Sequence, residues 1–310
     1  MSHWGIVGDG KWGMALARRL KANGHSVTVA GLEARTKKGV PRGVKHTVDS
    51  AQVLQNSERI ILAVSIRDFA STIKAIAPHL RPVHRLMSTA RGLTPTTHLR
   101  GTEVIGQFCS ARQMAVLAGA ADAGSLANDS PVALVVGSAF PSWAADIQEA
   151  LWSHSLRVYT NEDMVGVELA NVVAAVVGVA LSVARSLKVG PAAEATALTR
   201  ALAEMNRVVS GLGGTEGTAF GLAGLGVLGE MVYAGQGASF NAGSRLAKGE
   251  STDEPEFFDV REATRTLIGR IRRHHIHAPL VEAVHHMFIG QLTADEALTQ
   301  LMERPVGAEA

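Results

Sequence analysis

A glycine turn close to the first residue confines this chain to few folds. His3-Trp4-Gly5-Ile6-Val7 reads as a short apolar strand, Gly8-Asp9-Gly10-Lys11-Trp12-Gly13 follows as G-x-G-x-x-G, and from Gly13 the apolar residues recur with helical spacing. In such a strand–turn–helix unit the first glycine permits the tight turn. The second lets the backbone approach a pyrophosphate, and the third lets helix and strand pack closely. The unpaired N–H groups and the macrodipole at the helix start then favour an anion. Gly8, Gly10, Lys11, Trp12 and Gly13 are therefore expected to hold a dinucleotide.

The pattern that follows is the one this unit demands. Short apolar runs at 26–30, 59–64, 83–88, 113–118 and 132–136 read as strands, and helical stretches (13–23 and near 49–55) lie between the first of them. That alternation predicts a doubly wound parallel sheet of Rossmann type, covered on both faces. Past residue 161 strand signals nearly vanish. Residues 163–188, 191–211, 220–234, 261–274 and 279–288 read as helices, and Thr293-Ala294-Asp295-Glu296 opens a last short one with a capping box. The expectation is an α/β domain at 1–160 and an all-helical domain at 161–310, which the chain of 310 residues, 46% of them hydrophobic, can supply with cores.

Charge and composition narrow the setting. A net charge of +2 gives no electrostatic case for nucleic acid or an anionic membrane surface. One cysteine, Cys109, fits a reducing compartment, no leader pattern precedes the first strand, and a cytoplasmic protein is expected. The longest apolar stretch, 165–187, carries Glu168, Asn171, Ser182 and Arg185, so it reads as a buried helix and not a membrane span. His274, His275, His277, His285 and His286 lack a cysteine or carboxylate at metal spacing, and no metal is expected. Lys37-Lys38 and the basic run 270–273 read as solvated faces, and Gly211-Leu212-Gly213-Gly214-Thr215 as a helix-ending turn.

Several stretches together carry a family resemblance. They are the opening glycine turn with its tryptophan, Ser88-Thr89-Ala90-Arg91-Gly92, Tyr159-Thr160-Asn161-Glu162-Asp163, Gly166-Val167-Glu168-Leu169, Leu198-Thr199-Arg200-Ala201-Leu202-Ala203-Glu204-Met205, Phe220-Gly221-Leu222-Ala223-Gly224-Leu225-Gly226 and Leu301-Met302-Glu303-Arg304-Pro305. In order and spacing the chain resembles the bacterial NAD(P)-dependent glycerol-3-phosphate dehydrogenases over nearly its whole length. The resemblance implies a nicotinamide cofactor, NAD or NADP, and a small hydroxy or keto substrate, phosphorylated in the family. A homodimer is left open.

The resemblance also implies a lysine on the first long helix of the second domain, which polarises the substrate carbonyl and exchanges the proton. Counting back from Arg200 without a gap puts Ala174 at that position, and a one-turn shift that aligns Asn171 puts Ala170 there. Lys188 lies 14 residues beyond Ala174, about 21 Å along a helix, and cannot substitute. Other family positions differ too. Val227 stands for an acidic residue, Ser239-Phe240-Asn241 for Ser-Arg-Asn, Arg91 for a lysine, and Gly119-Ala120-Ala121-Asp122-Ala123 for Gly-Pro-Ser-Phe-Ala. Arg245 is one turn from the missing arginine, and the segment after the second strand is shortened to residues 35–44.

By resemblance, Arg91, Ala123 and Glu262 join the cofactor set, and Arg91, Gly119, Ser239 and Asn241, with Asn171, form the substrate set. Asp122, Glu230 and Arg91 are candidates for catalytic chemistry, and Tyr233 falls nearby. No acid ends the second strand to take a ribose hydroxyl. Leu32 stands where the family often has arginine, with Glu33, Arg35, Lys37 and Lys38 close by, so NAD and NADP are not separated. Two readings follow: a divergent oxidoreductase of this family, or an inactive member that binds a dinucleotide as a sensor or partner-binding protein.

Overall fold

The computed structural model describes residues 1–31, 39–109 and 113–304. The chain forms two compact units, Met1–Thr94 with Leu99–Glu168, and Pro95–His98 with the chain from Leu169 onward. The first unit runs β1 (His3–Val7), α1 (Lys11–Ala22), β2 (Ser26–Ala30), β3 (Lys45–Thr47), α2 (Ser50–Asn56), β4 (Arg59–Leu62), α3 (Ile66–Ile76), β5 (Arg85–Ser88), α4 (Gly101–Phe108), β6 (Gln113–Ala118), α5 (Ala123–Ala127), β7 (Val132–Gly137), α6 (Pro141–Leu151) and β8 (Leu156–Asn161).

One sheet of eight strands holds this unit, in the order β3-β2-β1-β4-β5-β6-β7-β8. Side chains alternate between its faces, as the two-residue period of a strand requires. Ile61 joins Trp4, Ile6, Leu16 and Trp143 on one face, beneath α1, α5 and α6. Ile60 and Leu62 join Val7, Leu54, Phe69, Ile73 and Val104 on the other, beneath α2, α3 and α4. Both faces are thus closed by apolar packing, the arrangement a parallel sheet needs. The sheet departs from the all-parallel expectation at one place: β7 runs antiparallel to β6, while β8 is again parallel to β7. The connection between these two strands carries only the five-residue α5, and the chain returns beside β6 in the opposite direction.

The second unit takes α7 (Met164–Ser186) from Leu169, then α8 (Pro191–Gly211), α9 (Val227–Ala234), α10 (Ala238–Ala247), α11 (Phe258–Arg273), α12 (Pro279–Phe288) and α13 (Ala294–Met302). By length and composition α7 could cross a membrane, yet 78% of that stretch is buried inside the protein, and it is a core helix. Gly243 of α10 sits so close to α7 that a Cβ there would collide with the Val179 carbonyl, and Ser182 Oγ donates to the Phe240 carbonyl at 2.5 Å. The capping box of α13 is present: Glu296 N donates to Thr293 Oγ1 at 3.2 Å, and Thr293 N to Glu296 Oε2 at 2.8 Å.

The single helix expected at 220–234 is instead three pieces. A 3₁₀ turn at Thr218–Phe220 leads into a π-helical segment at Leu222–Gly226, closed by Gly226 N donating to Gly221 O at 3.1 Å, and α9 follows. Gly224 makes this possible, because any Cβ there would strike the Ala219 carbonyl. π segments have no apolar period of their own and are often found at functional sites.

Glu204 of α8 ties two helices together. Its Oε2 and Oε1 accept Leu280 N and Val281 N, each at 2.9 Å, filling the start of α12. Burial outweighs these bonds and pushes its carboxyl up to about 7. The folded state therefore holds a proton that the unfolded chain, with an ordinary carboxyl near 4.5, releases. Stability from this group is full below about pH 4.5 and lost as pH rises through 7, by about 3 kcal/mol at most. Glu204→Gln removes the titration. Subtracting its urea-derived stability from that of the natural protein at pH 5 and pH 7.5 should return a difference that falls with pH, and a flat difference would refute the assignment.

Candidate functional site

β1 ends at Val7, and the strand order reverses between β1 and β4, which places Gly8 at the switch point where doubly wound sheets bind ligands. Gly8 has φ +113°, and a Cβ on it would collide with the Ala63 carbonyl just past β4. A Cβ on Gly13 would collide with the Gly8 carbonyl, so this glycine sets how closely α1 approaches the turn. Gly10 differs, for a Cβ there meets nothing within 4 Å. It is the N-cap of α1 and supplies no side-chain cap, and the first bond into the helix is Met14 N to Gly10 O at 3.0 Å. The N–H groups of Lys11, Trp12 and Gly13 thus precede the helical ladder, at the positive end of a twelve-residue helix. Lys11 is exposed and Trp12 packs against the core of that face. Open space at Gly10 beside these N–H groups fits a dinucleotide pyrophosphate.

The same edge gathers other expected residues, because β1, β4, β5 and β6 all run parallel. Arg91 follows β5, is exposed, and donates from Nη2 to the Ala121 carbonyl at 3.2 Å. Gly119 follows β6 with φ +134°, and Ala123 opens α5. Asp122 caps α5: its Oδ1 accepts Ser125 N at 2.5 Å. The hydrogen bonds from Ser125, helped by Arg91, hold its carboxyl below the usual range, so it stands ionised as a cap and is a poor proton donor at neutral pH.

Two features at this edge escaped the sequence reading. Asp9 Oδ2 lies 3.2 Å from His46 Nε2 on β3. Further along, Arg100 and Thr102 at the start of α4 surround the buried carboxylate of Glu168. Arg100 Nη1 donates to Oε2 at 3.0 Å, Thr102 Oγ1 to Oε2 at 2.5 Å and Thr102 N to Oε1 at 3.1 Å. Burial raises the Glu168 carboxyl, and Arg100 and Thr102 pull it back. Neither pair has a sequence signal, since 37 and 68 residues separate the partners.

In the second unit both lysine registers fall in the interior of α7, with Ala170 and Ala174 each 0% exposed. Val227, where α9 leaves the π segment, is 4% exposed. Asn171 is 95% buried, with Oδ1 lacking a hydrogen-bond partner among the described residues. On α10, Ser239 is buried in the first turn and Asn241 is exposed. Arg245 is paired with Glu254 at 2.8 Å and Glu250 at 3.4 Å. Glu262 is clasped by Arg265, Nη2 to Oε2 at 2.7 Å, and the same guanidinium reaches the Pro95 carbonyl at 2.6 Å. Glu230 lies half-buried in the first turn of α9 and Tyr233 is exposed. Leu32, Glu33, Arg35, Lys37 and Lys38 lie outside the described residues.

Comparison with known proteins fixes the family. Residues 35–144 match the model of the NAD-dependent glycerol-3-phosphate dehydrogenase N-terminus, and residues 163–299 that of its C-terminus. A glycerol-3-phosphate dehydrogenase [NAD(P)+] of a Synechococcus strain is 33% identical over 310 residues, covering 98% of this chain and 95% of that protein. The chain belongs to the glycerol-3-phosphate dehydrogenase family. The family is NAD(P)-dependent, and the doubly wound sheet with a helical C-terminal part is its fold. The crystal structure of glycerol-3-phosphate dehydrogenase from Coxiella burnetii is similar at a TM-score of 0.88 and 28% identity, covering 98% of this chain and 99% of that one. The Plasmodium falciparum enzyme shares the fold at a TM-score of 0.87 with 14% identity, covering 99% and 97%.

Proposed function

We propose that this chain is an oxidoreductase that binds NAD or NADP on residues 8–13 and acts on a small hydroxy or keto compound without the family's lysine. The observation that carries it is the switch-point turn, where Gly10 is open and three N–H groups precede the helical ladder of α1. Bound there, the nicotinamide supplies a hydride donor or acceptor. Arg91 is the proposed cation for a carbonyl or phosphate oxygen. It polarises by charge and hydrogen bonding but, with a guanidinium always protonated, passes no proton. Gly119 is proposed beside it as a backbone contact in the first unit; within the second unit Ser239, Asn241 and Asn171, whose Oδ1 has no partner among the described residues, are the polar groups proposed for substrate. Ala123 and Glu262 remain proposed cofactor neighbours, each in its own unit, and Glu230 is the titratable candidate that is left, Asp122 being held ionised as the cap of α5. A cytoplasmic homodimer belongs to the same proposal, its state testable by light scattering.

A second reading, dinucleotide binding without turnover, is favoured by the apolar burial of Ala170, Ala174 and Val227. Loss of a positioned acid–base group costs about 10²–10⁴-fold in rate. Turnover of dihydroxyacetone phosphate is accordingly expected at least about 10²-fold below that of a lysine-bearing relative assayed alongside. The experiment titrates NADH and NADPH by calorimetry, then follows cofactor absorbance with dihydroxyacetone phosphate and a panel of keto acids. Saturable cofactor binding with turnover of a ketone supports the first reading, and binding with no turnover supports the second. Failure to bind either cofactor refutes both.

A further inference from the structure

In a dinucleotide fold the acid that reads the adenosine ribose commonly stands at the end of the second strand. Here β2 ends at Ala30 and Gly31 follows. A carboxylate nevertheless lies at the end of β2, delivered from the strand beside it. Asp9 follows Gly8 directly, and Gly8 N donates to the Ala30 carbonyl at 2.8 Å. His46 is the middle residue of β3, in register with Val29, and Gly31 N donates to the Thr47 carbonyl at 2.9 Å. With strand order β3-β2-β1, the 3.2 Å contact from Asp9 Oδ2 to His46 Nε2 has to span β2 at its carboxyl end. Both side chains are largely buried there, at 17% and 8% exposure.

We propose that Asp9 replaces the missing acid of β2: its carboxylate accepts the adenosine ribose 2′-hydroxyl and repels a 2′-phosphate, so that the chain prefers NAD(H) to NADP(H). His46 is the positioning residue, holding one carboxylate oxygen. An ionised carboxylate has about four lone-pair sites, so this contact leaves acceptor capacity for a hydroxyl. A 2′-phosphate brings only negative charge and further acceptors to the same place, and like charges at close range are costly where water is excluded. The inference rests on the dinucleotide occupying residues 8–13.

Calorimetric dissociation constants for NADH and NADPH at one fixed salt concentration test it, with the natural protein, Asp9→Asn, Asp9→Ser and His46→Ala. The natural protein should bind NADH at least about tenfold more tightly than NADPH. Asp9→Asn, which keeps the shape and a hydrogen bond to His46, should narrow that ratio about tenfold or more, mainly through tighter NADPH. Asp9→Ser should act in the same direction, and His46→Ala should narrow the ratio less. If Asp9 only tethers β3, its variants weaken both cofactors in parallel and leave the ratio unchanged, which overturns the proposal. NADPH binding as tight as NADH to the natural protein overturns it too, while the dinucleotide reading survives. If the natural protein binds neither cofactor, both fall.

Discussion

Glu168→Ala is expected to cost the protein about 3–5 kcal/mol, measured by urea denaturation near neutral pH. The magnitude comes from what is left behind. Arg100 is largely buried, and the Glu168 carboxylate faces both its Nη1 and the Thr102 N–H at the open end of α4. Glu103 takes another part of Arg100, Oε1 at 3.2 Å from Nη2, but Arg100 Nε already has no partner among the described residues. Without Glu168 the largely buried guanidinium keeps its charge with only Glu103 as an anionic partner, and α4 loses the Glu168 anion at its positive end. Removing both partners should hurt less than the sum of the single losses, because no unpaired charge then remains. Arg100→Ala/Glu168→Ala should show a coupling above about 1 kcal/mol. A loss below about 1 kcal/mol for Glu168→Ala alone would mean that water reaches this pair and the network is worth no more than a surface ion pair.

The sequence made legible what depends on near neighbours. Strand β2 at Ser26–Ala30, helices α8 and α12, and the capping box before α13 coincide with the residues read from periodicity and end signals, because each is decided within a few residues. The glycine turn was legible for the same reason. What stayed hidden was set by distant partners or by geometry without a period. Strand β3, Lys45-His46-Thr47, is three residues long with no apolar run, and it exists because β2 offers it an edge. The π segment at Leu222–Gly226 looks like helix to any 3.6-residue count. Strand β8 does alternate, with Leu156 and Val158 inward and Arg157 and Tyr159 outward, but its four-residue signal sits beside the change from α/β to helical patterning, which obscures it. At the candidate site the missing lysine was visible as an absence. Asp9 with His46, and Glu168 with Arg100, required the strand order and the path of α7 before either could be paired.

Those same alanines give the second large effect. Ala174→Lys by itself is expected to destabilise the protein by about 3–5 kcal/mol, since it puts an ammonium at a position that is 0% exposed. Gly178, one turn on and therefore on the same face of α7, meets α9: a Cβ there would lie 2.8 Å from Met231 Cε and 3.7 Å from Leu228 Cδ1. Val227 opens α9 beside Leu228, where the family has an acid, and is itself buried. In the register that puts the family's lysine at Ala174, as the resemblance implies, cation and anion are both replaced by apolar residues. This avoids the cost of one buried charge without its partner, and a packed apolar pair is often as stable as the ion pair it replaces. Ala174→Lys with Val227→Asp should therefore recover at least about 1 kcal/mol relative to the sum of the two single changes. The same double variant should gain dihydroxyacetone phosphate reduction over Ala174→Lys alone if that register is the family's. Ala170→Lys with Val227→Asp is the control for the other register. Strict additivity of Ala174→Lys and Val227→Asp would show that the two positions do not face one another, and the loss of lysine and acid would then be two separate events.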